Sequence, residues 1–258
     1  MDLARPIRNV VFAGSRALGA ETVQILHEKC AASGRTIVGV VAVRSDPDRQ
    51  WWAAEDKRNA WTEALARGLP LVAQDDLLQI DYDLLLSVYW HRIFPPAVLD
   101  RAALNVNLHT APLPECRGRY SCSMAILAGD HEFGPTLHLM EPAVDAGAVI
   151  AARRFPIAAS DTARQLYDRT NKVSVTLLRE WIHRILDGDF DAVDQLEIAK
   201  SVGRPVRFFG ADALDRYARP PNGPLSGVEL DVRRRGLTFP PRYAPPAWMN
   251  GRCDDSIR

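Results

Sequence analysis

Residues 105–147 read NVNLHTAPLPECRGRYSCSMAILAGDHEFGPTLHLMEPAVDAG, and they carry the chemistry that the rest of the chain supports. The stretch opens on the end of an apolar strand, continues through a Pro/Gly-punctuated loop and one helix, and closes after a second strand-like run. Asn107 and His109 are two residues apart, so on a strand their side chains point to the same side. Asp145 follows the second run. Because α/β sheets build their sites at strand ends, we predict that these three side chains meet.

The rest of the chain predicts a doubly wound α/β domain with a mostly parallel, twisted sheet. Residues 8–14 form an apolar strand, and the turn after it leads to a helix that Gly34 ends, which is how such sheets begin. Gly14 and Gly19 have the spacing G-x-x-x-x-G without a following Gly-Lys-Ser/Thr, which matches neither a dinucleotide loop nor a P-loop. Further strands are predicted at 36–43, 69–72, 83–88, 104–108, 134–140 and 147–157.

The longest helix is predicted at residues 160–187, with Ser160 as its cap and one continuous apolar stripe. His138 alternates with apolar neighbours, so it is predicted to face away from the site or to pack in its wall. His91 is interpreted as a loop histidine, with a substrate contact as the alternative. Core packing is the favoured role of the cluster Trp51, Trp52 and Trp61, and a ring-stacking wall is the alternative. Shorter helices are predicted after Pro95-Pro96, at 121–128 and at 227–236.

Composition excludes several classes of function. The 258 residues carry 32 basic and 32 acidic side chains, so the net charge of zero argues against broad nucleic-acid binding. The four cysteines form no CxxC pair and have no His at a zinc-ligand spacing, so we predict free thiols and no metal. Without an apolar run of about 18 residues or a signal core, the expected location is the cytoplasm, with no membrane contact.

Asn107, His109 and Asp145 suit acyl transfer to an amine. An Asn amide can donate to a developing oxyanion, a His can donate or handle the proton, and an Asp can orient that His or receive the proton. The substrate amine is itself the nucleophile, so the lack of an activated Ser or Cys fits direct transfer. A buried histidine that is hydrogen-bonded in the core would also explain Asn107 and His109.

The ordered set of N-L-H, L-P-x-x-R-G, G-x-T-x-H and D-x-G resembles the folate-dependent formyltransferases over roughly residues 8–190. The resemblance implies a Rossmann-like formyltransferase domain and N10-formyltetrahydrofolate as cosubstrate. It carries the catalytic roles to Asn107, His109 and Asp145. It also implies that two loops hold the pteridine largely through backbone groups, at Trp90, Arg92, Ile93 and Phe94 and at Ala143 and Val144.

The resemblance also bears on which amine accepts the formyl group. The tail ELDVRRRGLTFPPRYAPPAW is similar to a motif after the catalytic domain of the tRNA and amino-sugar enzymes of this family. The tRNA enzymes continue into a basic β-barrel that this sequence does not show, so we expect a small amine, most of all a nucleotide-linked amino sugar. Arg117, Arg119 and Tyr120 are the candidate substrate contacts, with an arginine pairing to a diphosphate. The expected domains are a catalytic domain at 1–200 and a small, Pro/Gly-rich, irregular appendage at 201–258.

Other readings stay open. Methionyl-tRNA, an aminoglycoside or a siderophore ornithine is each an alternative acceptor, and a homodimer is an open possibility. A different class of function is a non-catalytic protein that binds folate or a nucleotide. Substitution of Asn107 or His109 by Ala distinguishes the enzyme from the binding protein.

Overall fold

The central sheet has six strands in the order β2-β1-β3-β4-β7-β8 in the computed structural model, which describes residues 5–44 and 57–250. The first four strands run parallel, whereas β4–β7 and β7–β8 are antiparallel pairs, so the sheet is mostly parallel as predicted. Two short two-stranded pairs lie outside it, β5 with β10 and β6 with β9. The strands are β1 (Asn9–Gly14), β2 (Thr36–Ala42), β3 (Leu84–Val88), β4 (Leu104–His109), β5 (Arg117–Gly118), β6 (Glu132–Phe133), β7 (Thr136–Leu139), β8 (Val149–Ala152), β9 (Phe155–Pro156) and β10 (Phe208–Phe209).

Helices cover both faces of the sheet, as the apolar parallel strands require. On one face, Val10 and Leu84 belong to a core that includes residues of α1 and α5, whereas Val11 and Leu85 pack on the other face with Val98. The helices are α1 (Arg16–Ala32), α2 (Ala60–Ala66), α3 (Pro96–Leu99), α4 (Ser121–Leu127), α5 (Ala163–Asp187), α6 (Gln195–Val202), α7 (Asp215–Ala218) and α8 (Gly227–Gly236), with 3-10 turns at Asp75–Leu78 and Ala247–Asn250.

Three local predictions need correction. Residues 69–72 make one parallel bridge, Val40 to Leu71, instead of a strand. The strand expected at 147–157 is two short strands, β8 and β9, which pair with different partners. The cap of α5 is Thr162, not Ser160, because Thr162 and Gln165 form a reciprocal capping box that begins the helix two residues later.

The tryptophan cluster is only partly described. Trp51 and Trp52 lie outside the described residues. Trp61 is half-buried on α2 and does not line the large cavity described below. Within the described residues, no helix is long and apolar enough to cross a bilayer.

The segment after α6 returns to the catalytic loop through backbone pairing. β10 pairs with β5, so Phe208 lies beside Arg117 and Phe209 beside Gly118. Further along, α8 packs on α4, where a Cβ at Gly236 would lie 2.6 Å from Leu127. These contacts bring the C-terminal residues to the same edge of the sheet as Asn107 and His109.

Candidate active site

A cavity of about 850 Å³ opens at the carboxyl ends of β1, β3 and β4. Small-molecule sites typically have volumes of this order. Arg16, Tyr89, Tyr120 and Asp145 have positive φ angles of 63°, 54°, 57° and 52°, and they are the non-glycine residues of the described part that do. All four line this cavity. Strained backbone of this kind clusters at functional sites, so the cavity is the candidate active site.

The contact between Asn107 and His138 is one in which the donor and the acceptor can both be assigned. They are directly opposite in the antiparallel β4–β7 pair, and Asn107 Nδ2 is 3.1 Å from His138 Nε2. His138 Nδ1 is 2.7 Å from the carbonyl oxygen of Leu139, which can only accept, so Nδ1 carries the proton. Nε2 is then an acceptor, and the amide nitrogen of Asn107 must face it. The second N–H of the same amide is left for an oxyanion.

Of the two predictions for His138, the structure supports packing in the wall of the site, because the side chain does not face away from it. It is 2% exposed, and it lines the cavity. Burial lowers the pKa of His138 to about 4, against the opposing effect of the Asp145 carboxylate, so the ring is neutral near pH 7. The alternation of polar and apolar residues at 136–139 indicated that His138 is buried. It could not indicate that His138 lies opposite Asn107, because that depends on the antiparallel register of β4 and β7.

His109 has a different proton arrangement. Its Nε2 lies 2.7 Å from the carbonyl oxygen of Cys116, so Nε2 carries a proton in every charge state. Only Nδ1 can gain or release a proton, and Nδ1 is 3.6 Å from Asp145 Oδ2. The two imidazole rings meet edge to face with centroids 6.3 Å apart. His109 Nδ1 and the Asp145 carboxylate therefore face each other, at a separation longer than a hydrogen bond.

The Asp145 carboxylate is held by a backbone N–H and lies beside His138. Its Oδ2 accepts from the backbone N–H of Gly118 at 2.9 Å, and its Oδ1 is 3.7 Å from His138 Nε2. The glycine of the D-x-G motif, Gly147, is required by space, since a Cβ there would lie 2.0 Å from the carbonyl oxygen of Leu139. The motif thus packs the Asp145 loop onto the end of β7. Asn107, His109 and Asp145 do meet in the structure.

The residues predicted to bind the cosubstrate mostly line the same cavity. Trp90, Arg92, Ile93 and Phe94 lie along one side, where Trp90 Nε1 donates to Gln74 and holds the loop. Ile93 is 69% exposed, and Val144, on the opposing loop, is 43% exposed. Ala143 is exposed and is not among the lining residues. His91 is exposed at the cavity edge, and its ring contacts the ring of Trp90 at a tilt of 56°, with centroids 4.7 Å apart.

A second side of the cavity is an arginine–tyrosine wall, which consists of Arg16, Tyr89, Tyr120, Tyr167, Arg242 and Tyr243. Arg16 lies over the Tyr89 ring at 4.2 Å, and Arg242 lies over the Tyr120 ring at 4.8 Å. Both distances are in the range of cation–π contacts. Sequence reasoning missed Arg16, which comes from the start of α1, and considered Arg242 only as one of several arginines of the C-terminal tail.

Two of the three predicted substrate contacts lie at the cavity, and one does not. Arg119 and Tyr120 line the cavity, whereas Arg117 does not. Arg117 Nε instead donates to Gln195 Oε1 at 2.9 Å, because β5 turns its side chain toward the start of α6. Counting all lining residues, four arginines (Arg16, Arg92, Arg119, Arg242) outnumber two carboxylates (Glu141, Asp145) in a chain of zero net charge. The cavity therefore favours an anionic ligand.

The thiols near the site are not activated. Cys30, Cys116 and Cys122 are free, and Cys122 lines the cavity. Burial raises the pKa of Cys116 to about 12, and burial also raises the pKa of Cys122. A neutral thiol is a poor nucleophile at neutral pH. Among residues 5–44 and 57–250, no group of three His, Cys, Asp or Glu side chains is placed to hold a metal ion.

Comparison with known proteins identifies the family. The family model described as "Formyl transferase" matches residues 8–182, which is more than half of the chain. The chain belongs to the formyl transferase family. It is 32% identical over 232 residues to a methionyl-tRNA formyltransferase of Parvibaculum lavamentivorans, an alignment that covers 85% of this chain and 71% of that protein. Other curated methionyl-tRNA formyltransferases are matched over about 60% of their length.

Solved structures of this family share the fold. A sugar N-formyltransferase from Shewanella sp. FDAARGOS_354 superposes with a TM-score of 0.73 at 17% identity, covering 91% of this chain and 89% of that one. An N-formyltransferase from Helicobacter canadensis, solved with folinic acid and dTDP-3-aminofucose, gives 0.73 at 18% identity, covering 90% and 81%. At these identities the likeness establishes the α/β fold and leaves the amine substrate to be argued from the site.

Proposed function

We propose that this formyl transferase moves the formyl group of N10-formyltetrahydrofolate to the amino group of a nucleotide-linked amino sugar. The observation that carries the proposal is the joined set of Asn107, His109, His138 and Asp145 at one end of a large cationic cavity. The set contains a fixed amide donor and a carboxylate–imidazole pair, which are the groups that direct acyl transfer to an amine needs.

The cavity suits a reduced folate. Ile93 and Val144 are exposed apolar side chains on two facing loops, with Trp90 and Phe94 beside Ile93, and such surface accommodates a flat ring system. Arg92, at the rim of this side, is 3.2 Å from Asp75 and fits the negative charge of a glutamate tail. These residues, together with the backbone around Ala143, would hold the cosubstrate, which supplies the formyl carbon as an activated amide.

The protein groups would divide the work of the transfer. The attacking amine forms the new C–N bond, and the bond to the folate nitrogen breaks. The free N–H of Asn107 donates to the carbonyl oxygen as that oxygen becomes negative. Asp145 and His109 Nδ1 receive the proton that the amine loses and return it to the leaving nitrogen. His138 stays neutral and holds the Asn107 amide in one orientation.

An anionic acceptor is favoured by the wall opposite the folate side. Arg16 and Arg242 are guanidinium groups held against tyrosine rings, and the rings offer stacking surface for a base while the guanidinium groups face phosphate oxygens. A neighbouring cavity of about 530 Å³ shares Phe208, Phe209 and Gly210 with the main one, which provides room for an elongated ligand. The dTDP-3-aminofucose complex of the Helicobacter canadensis protein supports a nucleotide-linked sugar as the ligand class.

The test is a formyl-transfer assay with defined acceptors. Purified protein is incubated with N10-formyltetrahydrofolate and, separately, with dTDP-3-aminofucose, another nucleotide-linked amino sugar, methionyl-tRNA, an aminoglycoside and ornithine. Mass spectrometry then detects the gain of one formyl group. We expect transfer to a nucleotide-linked sugar and loss of transfer in Asn107→Ala. Transfer to methionyl-tRNA alone would assign the tRNA function that the curated relatives carry.

Folate binding without transfer to any of these amines would favour the non-catalytic alternative. That outcome is measured by calorimetric titration of folinic acid into the same protein. We expect folinic acid to bind, since the residues of the folate side are in place without the acceptor. A protein that neither binds folinic acid nor transfers a formyl group would refute the proposal.

A further inference from the structure

Gln195, the first residue of α6, is a buried polar side chain that none of the motifs includes. It is 1% exposed, and all of its hydrogen-bonding groups act toward the catalytic loops. Its Nε2 donates to the carbonyl oxygen of Asp145 at 2.9 Å and to that of Gly147 at 2.7 Å. Its Oε1 accepts from Arg117 Nε at 2.9 Å. One amide therefore contacts both segments that meet at Asp145.

These contacts close a ring around the catalytic carboxylate. From Gln195 Nε2 the ring runs to the carbonyl of Asp145, from Asp145 Oδ2 to the backbone N–H of Gly118, and through the chain from Gly118 to Arg117. Arg117 Nε then returns to Gln195 Oε1. Asp145 is thus fixed at its backbone and at its side chain by one connected set of bonds.

The position of Gln195 is set independently of the catalytic loops. Val193 and Val149 exchange two backbone hydrogen bonds of 2.8 Å, which lays the segment before α6 along β8. Asp194 caps α6 by accepting from the N–H groups of Leu196 and Glu197. The Gln195 amide is therefore delivered by a strand contact and a capped helix, which makes it a rigid support.

We propose that Gln195 is a positioning residue for formyl transfer, which holds the Asp145 carboxylate toward His109 and His138 by bonding the carbonyls of Asp145 and Gly147. The reason is conformational. Asp145 has a φ of 52°, an uncommon conformation for a non-glycine residue that Asp tolerates better than most and that its surroundings must still favour. Two N–H donors on the carbonyls of this turn supply that constraint. The inference rests on the proposed formyl transfer.

The experiment compares three variants by steady-state kinetics with N10-formyltetrahydrofolate and dTDP-3-aminofucose. Gln195→Met removes the amide at similar volume. Gln195→Glu keeps an acceptor for Arg117 but places oxygen where the two N–H donors were. Glu197→Gln changes an exposed side chain on the same helix and leaves the Gln195 amide and the Asp194 cap intact, so it is the matched control. We expect both Gln195 variants to lower kcat by roughly 10- to 100-fold, because a displacement of about 1 Å can cost this much.

The split between kcat and KM separates positioning from general damage. KM for the sugar and the affinity for folinic acid should stay within about threefold in the Gln195 variants, and Glu197→Gln should keep kcat within about twofold. Wild-type kcat in Gln195→Glu would overturn the inference, because the donors would then be unnecessary. An equal loss of kcat in Glu197→Gln would also overturn it.

A second measurement needs no acceptor. The backbone amide resonances of residues 144–147, observed by NMR in the free protein, should shift in Gln195→Met and not in Glu197→Gln. If the wild-type protein transfers no formyl group to any amine tested, the proposed function fails, and the resonances still report on the support of Asp145. Unchanged resonances in Gln195→Met would refute the positioning role whatever the activity.

Discussion

The two ends of the cavity are built differently. The reaction end consists of Asn107, His109, His138 and Asp145. There, backbone carbonyls at 2.7 Å determine which nitrogens of His109 and His138 are protonated, and the Asp145 carboxylate accepts from a backbone N–H at 2.9 Å. In the arginine–tyrosine wall, the guanidinium groups of Arg16 and Arg242 lie over rings, which offer no fixed proton geometry.

The difference assigns separate tasks to the two ends. Catalysis by oxyanion stabilisation needs donors whose direction does not change during the reaction, and main-chain partners provide this. Recognition of an acceptor needs shape and charge that can differ between proteins with the same chemistry. The reaction end is thus formed by the motifs at 107–109 and 145–147, whereas the wall collects residues from the start of α1, the turn after β3, the start of α4, α5 and the C-terminal segment.

We expect the largest effect from a substitution that disrupts the reaction end and leaves the wall intact. Asn107→Ala removes the fixed amide donor, and we expect kcat to fall about 100- to 1000-fold. KM for the acceptor should change little, because the wall is untouched. Initial rates of formyl transfer measure both. Asn105→Ala is the matched control, since Asn105 lies two residues earlier on β4, donates to the carbonyl of Leu99 and is not among the residues that line the cavity. An equal loss of kcat in this control would contradict the role of Asn107.

The reaction end was largely predictable from the sequence, and the wall was not. Asn107 and His109 share a face of one strand, and Asp145 follows the next strand run, so local periodicity placed them. The same periodicity could not place His138, whose role depends on the antiparallel register with β4. Gln195 and Arg242 reach the site from later segments, through contacts that no local pattern encodes.

Lowering the pH should reduce the free energy of unfolding, and His138 at the reaction end should contribute more to this loss than any group of the wall. The folded pKa of His138 is about 4, and the unfolded value is 6.5. Between these values the unfolded chain binds the proton and the folded protein does not. The stability present above pH 6.5 is therefore lost as the pH falls to 4, by on the order of 3 kcal/mol. Among the charged groups that face the ring from other elements, Asp145 opposes the lowering of the His138 pKa, whereas His109 and Arg117 reinforce it.

Urea unfolding between pH 4 and 7 measures this dependence. His138→Gln keeps an acceptor for Asn107 and does not titrate, so the dependence should flatten in this variant. His183→Gln changes an exposed histidine on α5 and should leave the wild-type slope. A slope that persists unchanged in His138→Gln would show that the reaction end does not hold a neutral imidazole.

We expect the smallest effect from substitutions that alter the wall and leave the reaction end intact. Arg16→Met and Arg242→Met keep the aliphatic stems and remove the charges, and each should raise KM for dTDP-3-aminofucose about 3- to 10-fold, with kcat unchanged. The salt dependence of KM should also decrease, because a cationic wall attracts the diphosphate through screened charge.

Arg153→Met provides the matched control for the wall, since Arg153 is paired with Glu180 away from the cavity. It should leave KM and its salt dependence at the wild-type values. If the Arg16 and Arg242 variants lowered kcat without changing KM, the arginines would belong to the reaction end. The division of the cavity into a fixed reaction end and a variable acceptor wall would then be wrong.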